Sequence, residues 1–306
     1  MSELVLFHYP MSPFSEKIRT MLGYADLHWL SVPVAEMPPR PVLALLVGGY
    51  RKIPVAQIGA DLFCDTRTIA TEIANLANRP ELALEHQPEA VRQFVEQVDL
   101  EVFMACVMAA SDGKLLRKLI RETSLLKTLR FLKDRAQIGR TARVRTVRGA
   151  KAKARVLSHL ADLEGRLSQD FLFGPSPCIA DFSAYHGLWF VCDLAGKPWL
   201  RDYPRVTAWM ARMRAFGHGQ ARTFSADEAI ERARQSQPRP LPEGTNGDAL
   251  GTRVRVAPTD YGRDPVFGTL VHAGAHETVI ARDTAETGRV HVHFPKQGFR
   301  ITPAGD

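Results

Sequence analysis

No stretch of this chain approaches the roughly 18 consecutive apolar residues that cross a bilayer. Its opening, Met1-Ser2-Glu3-Leu4, passes at once into a strand-like run, with no basic start, apolar core and small-residue cleavage site. Neither a membrane span nor a secretory leader is expected. Cysteine is scarce: Cys64, Cys106, Cys178 and Cys192 lie far apart and form no CxxC pair. In a chain of this size, that spacing argues against a disulfide framework and for reduced thiols in the cytoplasm. Internal repeats and low-complexity tracts are also lacking.

With 306 residues, 45% hydrophobic and 24% charged, the chain can bury a sizeable core, and its length suggests two domains and a small third. The net charge of +7 is unevenly spread. Residues 114–155 hold 15 Lys+Arg and only two acids, Glu122 and Asp134, which makes that segment +13 and leaves −6 for the rest. Such a block is a candidate surface for nucleic acid or another polyanion. Phe131 is its one aromatic, and it carries no nucleic-acid-binding motif, so it reads as a solvated helical face with a mobile loop.

Hydrophobic periodicity organises the rest. Residues 4–8 read as a buried strand, 14–24 as a helix after the turn Tyr9-Pro10-Met11-Ser12-Pro13, and 28–34 as a second strand. A short helix around Val42–Val47 follows. A hairpin is expected with strands at 53–58 and 62–64, then a helix from Asp65 to Asn78. That order is a βαβ unit followed by a ββα unit. From residue 88 to about 233 the period is helical throughout, with a loop or frayed ends at Arg135–Lys153. Residues 235–248 are a Pro/Gly linker by composition. Beyond it the period changes to two, and four or five short strands suggest a small barrel of about 55 residues. The expected division is 1–80, 81–234, a linker at 235–248, and 249–306.

Three spots in the first 80 residues are candidates for chemistry. Ser12 sits at a strand-to-helix turn, where unpaired backbone N–H groups and the helix dipole favour an anion such as a thiolate. Serine is also a common helix cap, and that reading competes. Ile53-Pro54 opens a strand, the position proline tolerates. Were the bond cis, the turn would present the Ile53 backbone to a bound peptide. Asp65-Thr66 opens a helix, as a cap or as a carboxylate and hydroxyl receiving an ammonium and a carboxylate.

Tyr9-Pro10-Met11-Ser12-Pro13-Phe14-Ser15-Glu16-Lys17-Ile18-Arg19, then Lys52-Ile53-Pro54-Val55, then Asp65-Thr66-Arg67-Thr68-Ile69, resembles the N-terminal domain of glutathione transferases in order and spacing. The resemblance covers about residues 1–220. It implies an α/β thioredoxin-like domain and an all-α helical bundle, to which this chain adds a small all-β barrel-like domain. By the same resemblance, Ser12 activates the glutathione sulfur, the Ile53 backbone pairs with the cysteinyl moiety, and Pro54 is the cis-proline. Asp65 and Thr66 grip the γ-glutamyl group, in place of the family's usual Glu-Ser, and Lys52 assists with the glycyl carboxylate. Met104 and Met108 lie on the first long helix, where the second-substrate pocket forms, though a methionine stripe also reads as plain core. Asp181, in Cys178-Ile179-Ala180-Asp181, matches a structural capping signature in which Cys178 is a poor cap, unless Ser176 shifts the helix start.

His272, His276, His291 and His293 cluster in the tail and read as surface histidines rather than as a metal site. The resemblance implies a serine-type transferase that conjugates glutathione, its co-substrate, to a small apolar electrophile. It further implies detoxification and a homodimer, while the residues themselves point to no metal, no membrane and a solvated basic face rather than a nucleic-acid partner. Serine at position 12 cannot form a mixed disulfide, which argues against reductase work. The alternative is a non-catalytic protein on the same fold that docks a partner through the C-terminal β domain and the basic segment.

Overall fold

The computed structural model describes residues 3–143, 147–241 and 250–305. β1 (Leu4–His8) is buried along its whole length, as a strand covered on both faces must be. α1 (Pro13–Tyr24), β2 (His28–Pro33), α2 (Pro41–Val47), β3 (Val55–Ile58), β4 (Asp61–Cys64) and α3 (Thr66–Ala77) complete the first layer. β1 pairs parallel with β2 and antiparallel with β3, and β3 turns back into β4. This is the expected βαβ–ββα layer.

The helical part holds α4 (Glu89–Gln97), which passes through a π-helical stretch at Val98–Val102 into α5 (Phe103–Ala110). α6 (Gly113–Glu122), α7 (Leu125–Thr141), α8 (Ala150–Arg166), α9 (Ile179–Leu188) and α10 (Pro204–Ala215) follow. α7 runs well into the region expected as a loop. Its middle is held against the first layer by the Arg51–Asp134 ion pair and by Arg135 Nη2, which donates to the Glu36 carbonyl at 3.2 Å. Residues 144–146 of that expected loop lie outside the described residues.

α9 is buried at every position and begins after Cys178, with no shift to Ser176. The fully buried Asp181 carboxylate accepts from the backbone N–H of Cys178 and Leu172, both at 3.0 Å, and from Trp209 Nε1 at 2.9 Å. The carboxylate thus closes the reciprocal half of a capping box with Cys178 and ties the start of α9 to Leu172 and Trp209.

Among its described residues, the stretch read as helical up to residue 233 contains one strand, β5 (Gln220–Thr223), which pairs parallel with β2. All four of its residues are exposed, so it carries no apolar alternation to betray it. Gly219 makes the approach possible: its φ is +67°, and a Cβ there would lie 2.7 Å from the Leu27 carbonyl oxygen. α11 (Ala226–Gln235) follows.

β6 (Arg253–Pro258), β7 (Val266–Ala273), β8 (Glu277–Thr284), β9 (Gly288–Pro295) and β10 (Phe299–Pro303) form the expected C-terminal β region. They join the rest of the fold at an edge. β9 pairs parallel with β4, so one ten-stranded sheet runs β10-β6-β7-β8-β9-β4-β3-β1-β2-β5. Val256, Ile280, Val292 and Phe294 share an apolar cluster with Phe7, Leu46, Tyr50 and Leu62 of the first layer. The strands bury their apolar face against α2 and α11 instead of closing a core of their own. Part of the expected linker, residues 242–249, lies outside the described residues. Before it, Arg239 is fixed by its N–H on Asp61 Oδ2 at 2.9 Å and by its guanidinium on Glu72 at 2.9 and 3.2 Å.

The tail histidines are not the surface groups expected. His272, His291 and His293 are buried, and of the four only His276 is exposed, because β7 and β9 both lie inside the sheet rather than at its edge. His293 Nε2 meets Asp61 Oδ1 at 2.8 Å, and its Nδ1 meets Glu277 Oε1 at 2.9 Å. Burial opposes a charged imidazole there, but the hydrogen bonds to Asp61 and Glu277 outweigh it and raise the His293 pKa above its usual 6.5. Burial likewise opposes charge on Asp61, and His293 with Arg239 holds its carboxyl below the usual 3.8. The two shifts set a window. His293 contributes stability below about pH 6.5 and loses it as pH rises through its higher folded value, while Asp61 contributes above about pH 3.8 and loses it in stronger acid. His8, His159 and His186, each pushed down to about 4 by burial, act in the opposite direction below pH 6.5, so the His293 contribution is read as a difference between two proteins. In denaturant unfolding, His293→Ala should cost about 3 kcal/mol at pH 5.5 and clearly less at pH 8.5.

Candidate active site

The cleft follows from where three strand-to-helix turns end. α1 starts because Pro13 occupies its first position and Ser12, extended at φ −78°, caps it. Ser12 Oγ accepts from the Ser15 N–H at 3.2 Å, so the capping reading holds as an observation. Among the described residues its hydroxyl proton has no acceptor. Ile53–Pro54 is cis, and β3 begins directly after it. Asp65 caps α3 by accepting from the Arg67 N–H at 3.1 Å.

Asp65 does so at φ +86° and ψ 145°, a region that only glycine occupies without strain. An aspartate held there costs on the order of 1–3 kcal/mol. A serine or threonine on ordinary backbone would cap α3 without that cost, so capping does not account for the conformation.

These turns line one cleft of about 250 Å³. Lys52, Ile53, Pro54, Asp65 and Thr66 all contribute to it, together with Phe14 of α1. Ser12 is 2% exposed and lies behind the wall, not on it. Met104 and Met108, half-buried on α5, do not line this cleft. Phe103 beside them packs on Phe14, with ring centroids 4.6 Å apart, and on His186 at 5.1 Å. Of the residues proposed from sequence, the structure gathers five and leaves three outside.

Sequence reasoning missed the far wall altogether. Thr259, Asp260 and Tyr261 come from the β6–β7 loop, and Gln297, Gly298 and Phe299 from the β9–β10 turn. Lys52 Nζ donates to both Asp260 carboxylate oxygens, at 2.7 and 2.8 Å, and lies 4.3 Å from the Tyr261 ring centroid. Arg67 reaches the Gln297 carbonyl at 3.4 Å, and Gln297 also bonds Glu96. No local signal in the tail marks these residues, because their role depends on the β9–β4 pairing.

Two polar atoms on this cleft lack protein partners. Tyr50 is 2% exposed, its hydroxyl is unpartnered, and burial keeps its phenol protonated well above its ordinary range. Asp99, in the π-helical stretch, accepts from Lys17 Nζ at 2.8 Å through Oδ2 while Oδ1 is unpartnered. Burial opposes the Asp99 charge, but Lys17 and His186 hold its carboxyl below the usual range. His186 is itself pushed down to about 4 by burial, so it is neutral at pH 7. A π-bulge with an unsatisfied carboxylate in a cleft is a common mark of a ligand site. Four acids (Asp65, Glu96, Asp99, Asp260) and two bases (Lys52, Arg67) line the cleft. It therefore suits a ligand that brings an ammonium as well as carboxylates. Among the described residues no helix is long and apolar enough to cross a membrane.

Comparison with known proteins identifies the family. The family description "Glutathione S-transferase, N-terminal domain" matches residues 6–81, and "Glutathione S-transferase, C-terminal domain" matches residues 128–212. A GST-like protein from Pseudomonas syringae is 35% identical, with a TM-score of 0.77 over 99% of this chain and 100% of that one. That match takes in the C-terminal strands. FzlA from C. crescentus (22% identity, 70% of this chain and 88% of that one, TM-score 0.47) covers less of the fold. So does a glutathione S-transferase from Rhodospirillum rubrum F11 (21%, 69% and 88%, 0.45). No curated protein matches the chain. Two family domains in series and a relative similar over its whole length lead to one conclusion: the chain belongs to the glutathione S-transferase family.

Proposed function

We propose that the cleft binds glutathione and presents its thiolate to a small apolar electrophile. The observation that carries this reading is the convergence of Ile53, the strained Asp65 and Thr66 in one cleft at the N-termini of α1 and α3. Asp65 and the unpartnered Asp99 Oδ1 are acceptors for the γ-glutamyl ammonium, and the start of α3 offers N–H groups to its carboxylate. The Ile53 backbone pairs with the cysteinyl amide. The sulfur lies toward the start of α1, where the helix dipole and the free Ser12 hydroxyl proton lower its pKa. Rate then arises from thiolate population and from proximity to the electrophile. No step needs a metal. In this reading the protein is a cytoplasmic, homodimeric detoxifying enzyme.

A binding protein without turnover is the second reading, favoured by one observation: Ser12 is 2% exposed and lies off the cleft wall. Calorimetry of glutathione into the full chain tests binding first. No heat at millimolar glutathione overturns both readings. Ser12→Ala separates them: it should leave the glutathione Kd within about threefold while lowering kcat/KM with a chromogenic electrophile about 10- to 100-fold, the worth of one hydrogen bond to a charged group. Unchanged turnover in that variant, or none in the wild type, excludes Ser12-assisted conjugation.

Backbone strain at Asp65 gives a second test. Asp65→Ala and Asp65→Gly should both lose glutathione, but the glycine variant should be more stable than the alanine variant by about 1–3 kcal/mol in denaturant unfolding. Equal stabilities would mean that the φ of +86° is not strained. Lys52 supplies a third test. With Asp260 on its ammonium, only part of its charge is left for a glycyl carboxylate. Asp260→Asn should tighten glutathione about fivefold by calorimetry, equivalent to ~1 kcal/mol. Weaker binding would show that Asp260 positions Lys52 rather than competing for it.

A further inference from the structure

Arg143, within the +13 segment, lies against the loop between β6 and β7. The Arg143 N–H donates to the Asp260 carbonyl at 2.8 Å. Beside it lies a second cleft, of about 340 Å³, lined by Arg143, Arg255, Arg263 and Arg300 and, among the described residues, by no carboxylate. Strand register accounts for the convergence. Arg255 stands opposite Thr302 and Ala257 opposite Arg300, so both arginines share one face of the β6–β10 pair. Arg253, two residues before Arg255, belongs to the same face, and Phe267 of β7 stands directly opposite Arg255. Val254 and Val256 take the other face, in the core. The outer face is therefore a strip of arginines on β10 and β6, flanked on β7 by a phenylalanine that is 44% exposed.

Among the described residues, little neutralises that strip. Arg255 Nε bonds Thr302 Oγ1 at 2.7 Å, which leaves its charge uncompensated. Asp283, on neighbouring β8, is already engaged by Arg289 at 2.9 and 3.2 Å, and Asp264 lies 3.8 Å from Arg51. Converging guanidinium groups without acids repel one another unless an anion joins them, and their planar forks match phosphate oxygens in pairs. A free phosphate would satisfy the arginines and leave Phe267 idle. Unpaired bases need such an aromatic surface to stack on, and a sugar–phosphate backbone needs the arginines. Phe131 is the basic segment's one aromatic in sequence, and Phe267 adds an exposed one beside the arginines in space.

We propose that the outer face of β10-β6-β7, with Arg143 and Arg263 at its end, binds single-stranded nucleic acid. This sets a nucleic-acid surface in place of the solvated face expected from sequence, and it does not depend on the glutathione cleft.

Fluorescence polarisation of the full chain, with a labelled mixed-sequence single-stranded RNA and the DNA of the same sequence, tests it at about 50 and 200 mM salt. At least one strand should bind, about tenfold or more weakly at the higher salt. Arg255→Ala/Arg300→Ala should weaken binding about tenfold or more and flatten the salt dependence. Phe267→Ala should weaken it about tenfold with the salt dependence unchanged. All three side chains are exposed. Should the double alanine variant fail to fold, Arg255→Lys/Arg300→Lys keeps the charge and should keep the salt dependence while losing affinity. Absence of binding by either strand at the lower salt overturns the proposal. Binding indifferent to these variants also overturns it, since the charge run alone would then be responsible. Wild-type affinity in Phe267→Ala, with heparin displacing the strand, overturns it in favour of a general polyanion surface.

Discussion

The fold is organised around one buried carboxylate. Asp61, at the first position of β4, takes His293 from β9 on one oxygen and the Arg239 backbone on the other. Without that anchor, β4 would be the exposed edge of a four-stranded thioredoxin-like layer, and the C-terminal strands would have no reason to lie beside it. With it, the tail joins the sheet in a fixed register, Asp61 opposite His291 and Phe63 opposite His293. That register brings Asp260 over Lys52 and Gln297 over Arg67. A buried ion pair of this sort contributes little net stability, because desolvation offsets most of the attraction. Its effect is specificity of placement, while the apolar cluster shared between tail and first layer supplies the stabilisation.

Much of the N-terminal layer was legible because its signals are local. Leu4–His8 is an apolar run, Pro13 and Ser12 mark a helix start, and Gly59 turns a hairpin. The same locality made Ser12, Ile53, Pro54, Asp65 and Thr66 visible as candidates. What could not be read was whatever depends on distant pairing. β5 is four exposed residues with no pattern. The tail strands alternate as any half-buried sheet does, and nothing in that alternation says which edge they seek. His293 looks like a surface histidine until Asp61, 232 positions earlier, is placed against it. The cleft's outer wall and the arginine strip share that invisibility, since each is assembled from register and not from spacing.

Asp65 shows how a site and a fold can make opposed demands on one residue. Its backbone conformation belongs to glycine, and its side chain belongs to an anion-bearing helix start. The surrounding structure over-determines it. Cys64 before it is in β4, Thr66 after it is already helical, and the Thr68 hydroxyl bonds the Cys64 carbonyl at 2.9 Å. Rigidity at that turn keeps the carboxylate aimed into the cleft at the expense of local strain.

The Lys52–Asp260 bridge closes across 208 positions of the chain. A ribosome adding about 5–20 residues per second needs about 10–40 s to travel that distance. Throughout that interval the nascent first layer carries a half-built cleft, open on the side where the β6–β7 loop and the β9–β10 turn belong. β4 meanwhile presents an unpaired edge, the kind of surface on which strands of other chains pair and aggregate. Late arrival of the tail thus makes the newborn chain a natural client for chaperones that shield sheet edges.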